Sequence, residues 1–324
     1  MSSMLEFQVE ITKGCYLECL HCSSNAQMIK DGCRFNFNAL AKFVNSVKQR
    51  SFIYLSGGEP LLVPELRKLL NDLSINHSVG MYSSGIIKRG GNYRCVTLDE
   101  AISLKKSGLS ECYFSIYDTN PYNHDVITNV RGSYELTIES MRNFIAAGIE
   151  AKVHLVLNRF LFDHIDSSIH TLHSLGIKEA RLLSLVKSGR AQANWEKIGV
   201  DSHTQMERLK AILQISSTFK CKITFSGIPE FVACRPLNVT EGCVAGSKLF
   251  YVTYEGDIYP CAGSRNRPQY SLGNILCNQF DNLKPFQTNN GTCLNRGSEF
   301  WNAEKPTSIP QVIRVFPYSV VPTS

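Results

Sequence analysis

Three cysteines stand within eight residues near the start of the chain, in Cys15-Tyr16-Leu17-Glu18-Cys19-Leu20-His21-Cys22, a C-x3-C-x2-C spacing. Thiolates are soft ligands suited to iron-sulfur clusters and to zinc, and three in one loop can wrap a single metal centre. With three local ligands a four-iron cluster keeps one iron open to a bound cofactor; a structural zinc site with a fourth ligand from elsewhere is the alternative that spacing leaves standing. A second pair lies far along the chain, where Gly242-Cys243-Val244-Ala245-Gly246 is followed by Glu255-Gly256-Asp257-Ile258-Tyr259-Pro260-Cys261. Leu249, Tyr251 and Ile258 alternate there as in a hairpin turning at Gly256, which would bring Cys243 and Cys261 together as shared ligands rather than separate core thiols. Between the two sets lies Ser56-Gly57-Gly58-Glu59-Pro60, whose glycines permit close backbone approach to a ligand and which, alone, reads as a tight turn.

These residues need elements to hold them. Candidate strands run over 7–12, 52–56, 78–83, 111–117, 152–158, 180–185 and 222–225, with helical patterns between. Thr97-Leu98-Asp99-Glu100 has the form of a capping box, and Gly108, Gly148 and Gly176 each close a helical pattern before Leu or Ile and a strand. Repeated βα units of this kind predict an α/β fold, a complete or partial (β/α) barrel of six to seven units, with an open doubly wound sheet as the alternative. The cysteine run and the Gly-Gly-Glu-Pro run then follow the first and second strands, on the face where barrels carry their chemistry. Nine of the twelve prolines lie from Pro229 onward, where long helices are therefore not expected. The chain divides on this reading into a barrel domain (1–228), a small loop-rich domain (229–300) and an extended tail (301–324). Cys234, Cys243, Cys261, Cys277 and Cys293 fall in the second.

At 43% hydrophobic and 19% charged the chain is that of a globular protein. No run approaches the ~20 apolar residues of a membrane span, and the N-terminus has no secretory pattern, so no membrane and a cytoplasmic location are expected. The net charge of +6 forms no basic stripe, and nucleic acid is not an expected partner. Twelve cysteines in a reducing compartment point to metal or catalysis rather than disulfides. Cys95 and Cys112 read as core and Cys33 as incidental. Cys221 and Cys234 are placed where a thiol could face the barrel mouth and return a hydrogen atom to a substrate radical. No H-x3-H pair and no G-x-G-x-x-G after a strand occurs.

The order and spacing of Cys15, Cys19 and Cys22 followed by Gly57-Gly58-Glu59-Pro60 closely resembles the radical S-adenosylmethionine (radical SAM) enzymes, over about residues 5–225. The resemblance implies a four-iron four-sulfur cluster on the three cysteines, its open iron chelated by the amino and carboxylate groups of S-adenosylmethionine. Reductive cleavage then yields methionine and a 5′-deoxyadenosyl radical that abstracts a substrate hydrogen. It further implies that Gly57, Gly58, Glu59 and Pro60 form the segment contacting the methionine amino group. His21 falls where the family commonly carries an aromatic or histidine. Ser84, in Tyr82-Ser83-Ser84-Gly85, Ser115 and Asn158 match strand-end positions that touch the cofactor. The segment from Cys243 to Cys261, with Ser271-Leu272-Gly273-Asn274-Ile275, resembles the SPASM and Twitch extensions that carry auxiliary iron-sulfur clusters. The full seven-cysteine set is missing, so the shorter Twitch form is expected. It would hold a second, four-iron cluster on Cys243 and Cys261, with Cys293 and either Cys277 or Cys234.

The expected function is thus a radical SAM oxidoreductase that modifies a ribosomally made peptide, by epimerisation or cross-linking, with a flavodoxin or ferredoxin type reductant. Ser188-Gly189-Arg190-Ala191 and the Gly-Cys-x-Ala-Gly segment resemble peptide-modifying members. Against this, only fourteen residues precede Cys15, so the N-terminal peptide-recognition domain that many such enzymes carry is not expected. A radical SAM dehydrogenase of a small molecule such as an aminocyclitol is the alternative enzyme, and a non-catalytic iron-sulfur electron carrier the alternative of another class.

Overall fold

The computed structural model describes residues 4–28, 35–215, 220–226, 243–265 and 267–286. Seven strands run parallel in chain order: β1 (Glu6–Thr12), β2 (Phe52–Gly57), β3 (Ser78–Ser83), β6 (Leu109–Ile116), β7 (Glu150–Leu157), β8 (Glu179–Ser184) and β9 (Lys222–Ser226). Helices α1 (Phe37–Asn45), α2 (Leu66–Ser74), α3 (Leu98–Lys106), α4 (Pro121–Thr128), α5 (Ser133–Ala146), α6 (Arg159–Phe162), α7 (Ile165–Ser174), α8 (Arg190–Ala193), α9 (Trp195–Ile198) and α10 (Ser202–Ile215) fill the crossovers. A doubly wound sheet reverses its strand order part-way, and this one does not. The sheet advances in one direction as a barrel does, and among the described residues no pairing closes β9 onto the opposite edge, so the barrel is partial.

Alternation along the strands separates two faces. One set, including Phe7, Val9 and Ile11 of β1, Ile53 and Leu55 of β2, and Val153, Leu155 and Leu157 of β7, is buried in the main core with Leu40 and Phe43 of α1, Leu69, Leu70 and Leu73 of α2, and Met141 and Phe144 of α5. The other set is polar and is bonded across strands. Tyr54 donates to Glu111, Lys152 pairs with Glu111 at 2.7 Å, Tyr113 donates to Glu179 at 2.8 Å, and Arg181 donates to the Tyr113 hydroxyl at 2.9 Å. The capping box at Thr97 is formed with both its bonds, and Gly108, Gly148 and Gly176 all take left-handed backbone.

Two elements stand outside the sequence expectation. A hairpin, β4 (Ile86–Arg89) and β5 (Asn92–Cys95), follows β3, its turn made by Gly90 and Gly91 at positive φ. Beyond β9, β10 (Leu249–Val252) pairs in parallel with β1, and β11 (Asp257–Tyr259) and β12 (Gly273–Asn274) continue antiparallel. The turn between β10 and β11 does fall at Gly256, whose amide donates to Thr253 O at 2.9 Å. Phe250, Val252, Ile258, Leu272 and Ile275 join the main core, so this hairpin shares the barrel's sheet and its hydrophobic interior.

Candidate active site

Beyond Thr12 the chain folds back on itself. Cys15 N donates to Gln27 O at 3.2 Å, Cys22 N to Cys19 O at 3.2 Å and Asn25 N to Cys22 O at 3.3 Å. Two thiols already accept amides, Cys15 Sγ from Leu17 N at 3.4 Å and Cys22 Sγ from Ala26 N at 3.3 Å. Burial pushes the Cys15 thiol up to about 12, with the charges of Glu59 and Cys22 adding to the effect and Arg190 opposing it. Cys19, buried and flanked by the other two thiols, is raised further. With this bias Cys15 and Cys19 hold their protons until a cation replaces them.

The end of β2 docks against this loop by backbone alone. Gly58 N donates to Thr12 O and Glu59 N to Gly14 O, each at 2.7 Å. A Cβ on Gly57, whose φ is +127°, would lie 2.1 Å from Thr12 O, and one on Gly58 would lie 2.0 Å from Gly14 O. The glycines therefore let two protein segments meet, where the sequence suggested close approach to a ligand. Glu59 is buried, and its carboxylate accepts four bonds: Ser83 Oγ at 2.7 Å, Ser84 Oγ at 2.6 Å, Ser84 N at 2.9 Å and Leu61 N at 3.2 Å. Burial still raises its pKa, against those bonds. Glu59 thus ties the end of β2 to the end of β3, and Pro60 opens the short 3-10 turn Pro60–Leu62 behind it.

The other strand ends are knitted in the same way. Asn158, just past β7, donates to Tyr117 O at 2.7 Å and Val156 O at 2.9 Å while accepting from Phe160 N and Leu161 N. Its amide is fully engaged within the protein as the cap of α6. Ser115 stands near the end of β6 and bonds Tyr117, whose ring lies 4.2 Å from that of His21. Two arginines to which the sequence reading gave no role at the cysteine loop grip it. Arg190 donates to Cys19 O at 2.9 Å and Ala26 O at 2.6 Å, and Arg265 donates to Ser23 Oγ at 3.0 Å, Glu10 at 3.0 Å and the Tyr251 hydroxyl at 3.1 Å. Each lies more than 160 residues from the loop residues it bonds, with no spacing to betray it.

A family model described as the radical SAM superfamily matches residues 9–172, half of the chain. The chain belongs to that superfamily. It is 20% identical over 271 residues to an AdoMet-dependent heme synthase of Nitratidesulfovibrio vulgaris, covering 78% of this chain and 72% of that one. It is 23% identical over 263 residues to a PqqA peptide cyclase of Streptomyces rochei, covering 78% and 68%. Streptococcus suis SuiB bound to S-adenosylmethionine has the same fold, with a TM-score of 0.67 at 16% identity over 86% of this chain. This chain spans 65% of the length of SuiB, which has also been solved bound to the precursor peptide SuiA.

The radical SAM four-iron cluster and S-adenosylmethionine fit what the loop offers. Among the described residues no three ligand-type side chains converge as tightly as a single ion requires. Thiolates on a four-iron cluster each bind a different iron and need no such convergence. Cys243 and Cys261 lie at the two ends of the β10–β11 hairpin, near enough that the charge of one raises the pKa of the other. Cys277 is exposed on the turn after β12. Cys221 is buried beside the first residue of β9, so it sits at the opposite end of the sheet from the cysteine loop, and its thiol faces Lys222 O at 3.8 Å. A parallel strand starts on the face away from the one where its neighbours end, which is why Cys221 does not look toward the mouth. Cys112 is core, as expected, and Cys95 ends β5. Cys33, Cys234, Cys293 and the proline-rich tail lie outside the described residues.

Proposed function

We propose that this radical SAM enzyme modifies a peptide, with its catalytic cluster on Cys15, Cys19 and Cys22. The observation that carries the chemistry is the docking of Gly57–Glu59 onto the three-thiol loop at the C-terminal end of a parallel sheet. When bound, the reduced cluster and S-adenosylmethionine supply a carbon radical that removes a hydrogen atom from the substrate. The chain's own residues hold the three thiols in one loop, clamp that loop to the ends of β2 and β8, and leave the polar inner face of the strands beneath it. Gly57, Gly58 and the Ser84 and Ser115 strand ends frame the space for the methionine moiety, with Glu59 and Asn158 fixing their positions. A flavodoxin or ferredoxin type protein is the fitting electron donor.

The peptide reading is supported by the relative named as a peptide cyclase and by the fold shared with SuiB. Similarity to a heme synthase favours a second reading, oxidation of a small molecule. In both, Cys243 and Cys261 hold a second iron-sulfur cluster, with Cys293 and Cys277 as further ligands. Of the two thiols suggested as hydrogen donors for an epimerising route, the position of Cys221 leaves Cys234.

Anaerobic reconstitution tests this. The Cys15→Ala, Cys19→Ala, Cys22→Ala protein should form no 5′-deoxyadenosine from S-adenosylmethionine and reductant while retaining iron at the second site. Undiminished cleavage would refute the cluster assignment, and iron unchanged on removing Cys243 and Cys261 would refute the second. With a candidate precursor peptide in deuterated water, one deuterium gained marks epimerisation, whereas a loss of two hydrogens marks cross-linking or dehydrogenation. Turnover of a tetrapyrrole or other small molecule, and of no peptide, would select the second reading.

A further inference from the structure

The geometry points to Arg190 as a positioning residue of the iron site, one that holds the cysteine loop in its ligating form and places beside the thiolates a positive charge with no ion-pair partner among the described residues. Four carbonyls of the loop are engaged from the segment after β8. Arg190 Nε donates to Cys19 O at 2.9 Å and Nη1 to Ala26 O at 2.6 Å, while its backbone amide donates to Cys22 O at 3.0 Å. Asn194, one turn on, donates to Leu20 O at 3.3 Å, and Arg190 Nη1 also reaches Asn25 Oδ1 at 3.4 Å. The approach is as close as backbone allows: Gly189 sits at φ +56°, and a Cβ there would lie 2.5 Å from Cys22 O. The carbonyls of Cys19 and Cys22 are thus turned outward toward Arg190 and Gly189.

The charge distinguishes Arg190 from its counterpart on the other side. Arg265 also touches the loop, through Ser23, but it pairs with Glu10 at 3.0 Å. Arg190 bonds only neutral oxygens, and among the described residues it forms no ion pair. Its bonds to Cys19 O and Ala26 O fix the guanidinium against the backbone of the same loop that carries the three sulfurs. A thiolate-ligated cluster gains a negative charge on reduction, so a fixed cation nearby stabilises the reduced form and raises the potential. A guanidinium serves both tasks because its planar fork spans several acceptors; an ammonium keeps the charge without the fork.

The experiment compares loaded wild type with Arg190→Gln and Arg190→Lys, following the reduced cluster whose electron paramagnetic resonance signal responds to S-adenosylmethionine. In Arg190→Gln the reduction equilibrium should move at least about tenfold toward the oxidised form, about 59 mV for one electron. In Arg190→Lys the potential should stay near that of wild type while a chelator strips iron several-fold faster. Unmoved potential in the Gln variant, with wild-type loading, overturns the inference, because a packing role alone would leave the potential unchanged. If the Gln variant takes up no iron, the Lys variant decides: faster release at an unaltered potential supports the role, and release at the wild-type rate refutes it. The inference rests on the cluster site proposed above. Wild type without iron at Cys15, Cys19 and Cys22 would sink both, whereas normal wild-type loading with indifferent Arg190 variants would sink this one alone.

Discussion

Replacing Gly58 by alanine should uncouple the end of β2 from the cysteine loop. The added Cβ would stand 2.0 Å from Gly14 O and 2.5 Å from Gly14 C, where ordinary contact begins at 3.4 Å. Both atoms are backbone, so no rotamer change relieves the overlap, and the segments must part by about 1.4 Å, the difference of those distances. Hydrogen bonds from Gly58 N to Thr12 O and from Glu59 N to Gly14 O, both 2.7 Å, cannot survive that displacement. At about 0.5–1.5 kcal/mol each, their loss amounts to about 1–3 kcal/mol. For a chain of this size that is roughly 1.5–4.5 °C in Tm. The fitting control is Gly14→Ala in the same loop, whose Cβ would meet only side-chain atoms, Thr12 Oγ1 at 3.3 Å and Leu62 Cδ1 at 3.8 Å. Anaerobic iron uptake and thermal melting should be measured on both variants. Gly58→Ala should melt lower, bind less iron at the first site and form several-fold less 5′-deoxyadenosine, with Gly14→Ala near wild type. Equal loading and equal Tm in the two would refute the claim that these glycines exist to let backbone meet backbone.

Glu59→Gln places an amide NH2 against either Ser84 N–H or Leu61 N–H and should destabilise the protein by about 1–3 kcal/mol. Because burial raises the folded pKa of Glu59, the folded state binds the proton more tightly, and wild type gains stability as pH falls through that pKa toward the unfolded value. The stability gap between wild type and Glu59→Gln should therefore be wider near pH 5 than near pH 8 in denaturant melts, and a gap that narrows on acidification would count against this account. Asn158→Ala removes the cap of α6, the bond to Tyr117 O that joins the ends of β6 and β7, and the bond back to Val156 O, an expected loss of about 2–3 kcal/mol; a Tm within 1 °C of wild type would argue that these bonds contribute nothing. In metal-free protein, iodoacetamide at pH 8 should label exposed Cys277 well before Cys15, whose thiol is pushed up to about 12 by burial, and the reverse order would show the loop to be open.

All seven parallel strands could be read from the sequence to within two residues because each is a short apolar or alternating run bounded by a helix stop such as Gly148. The hairpin of β4 and β5 escaped, although Gly90-Gly91 between Ile86-Ile87 and Tyr93 carries the two-residue turn that such hairpins need. The candidate ligand sets were equally local. Cys15, Cys19 and Cys22 share one loop, and Cys243 and Cys261 close one hairpin, so spacing alone could suggest each set.

What the sequence determined by itself was therefore whatever is encoded within a single loop or a single turn: the thiol set, the Gly-Gly-Glu-Pro segment and the βα rhythm around them. Tertiary structure alone decided how those pieces are held. It showed the glycines serving a backbone contact, the carboxylate of Glu59 bonded to two serines across a strand boundary, and Arg190 and Arg265 reaching the cysteine loop from distant segments. It also carried Cys221 to the far end of the sheet and β10 onto the edge of β1. Contacts between segments far apart in the chain depend on strand order and direction, and these leave no periodic mark in either segment, because the same glycine, arginine or cysteine is compatible with many partners until the sheet assembles.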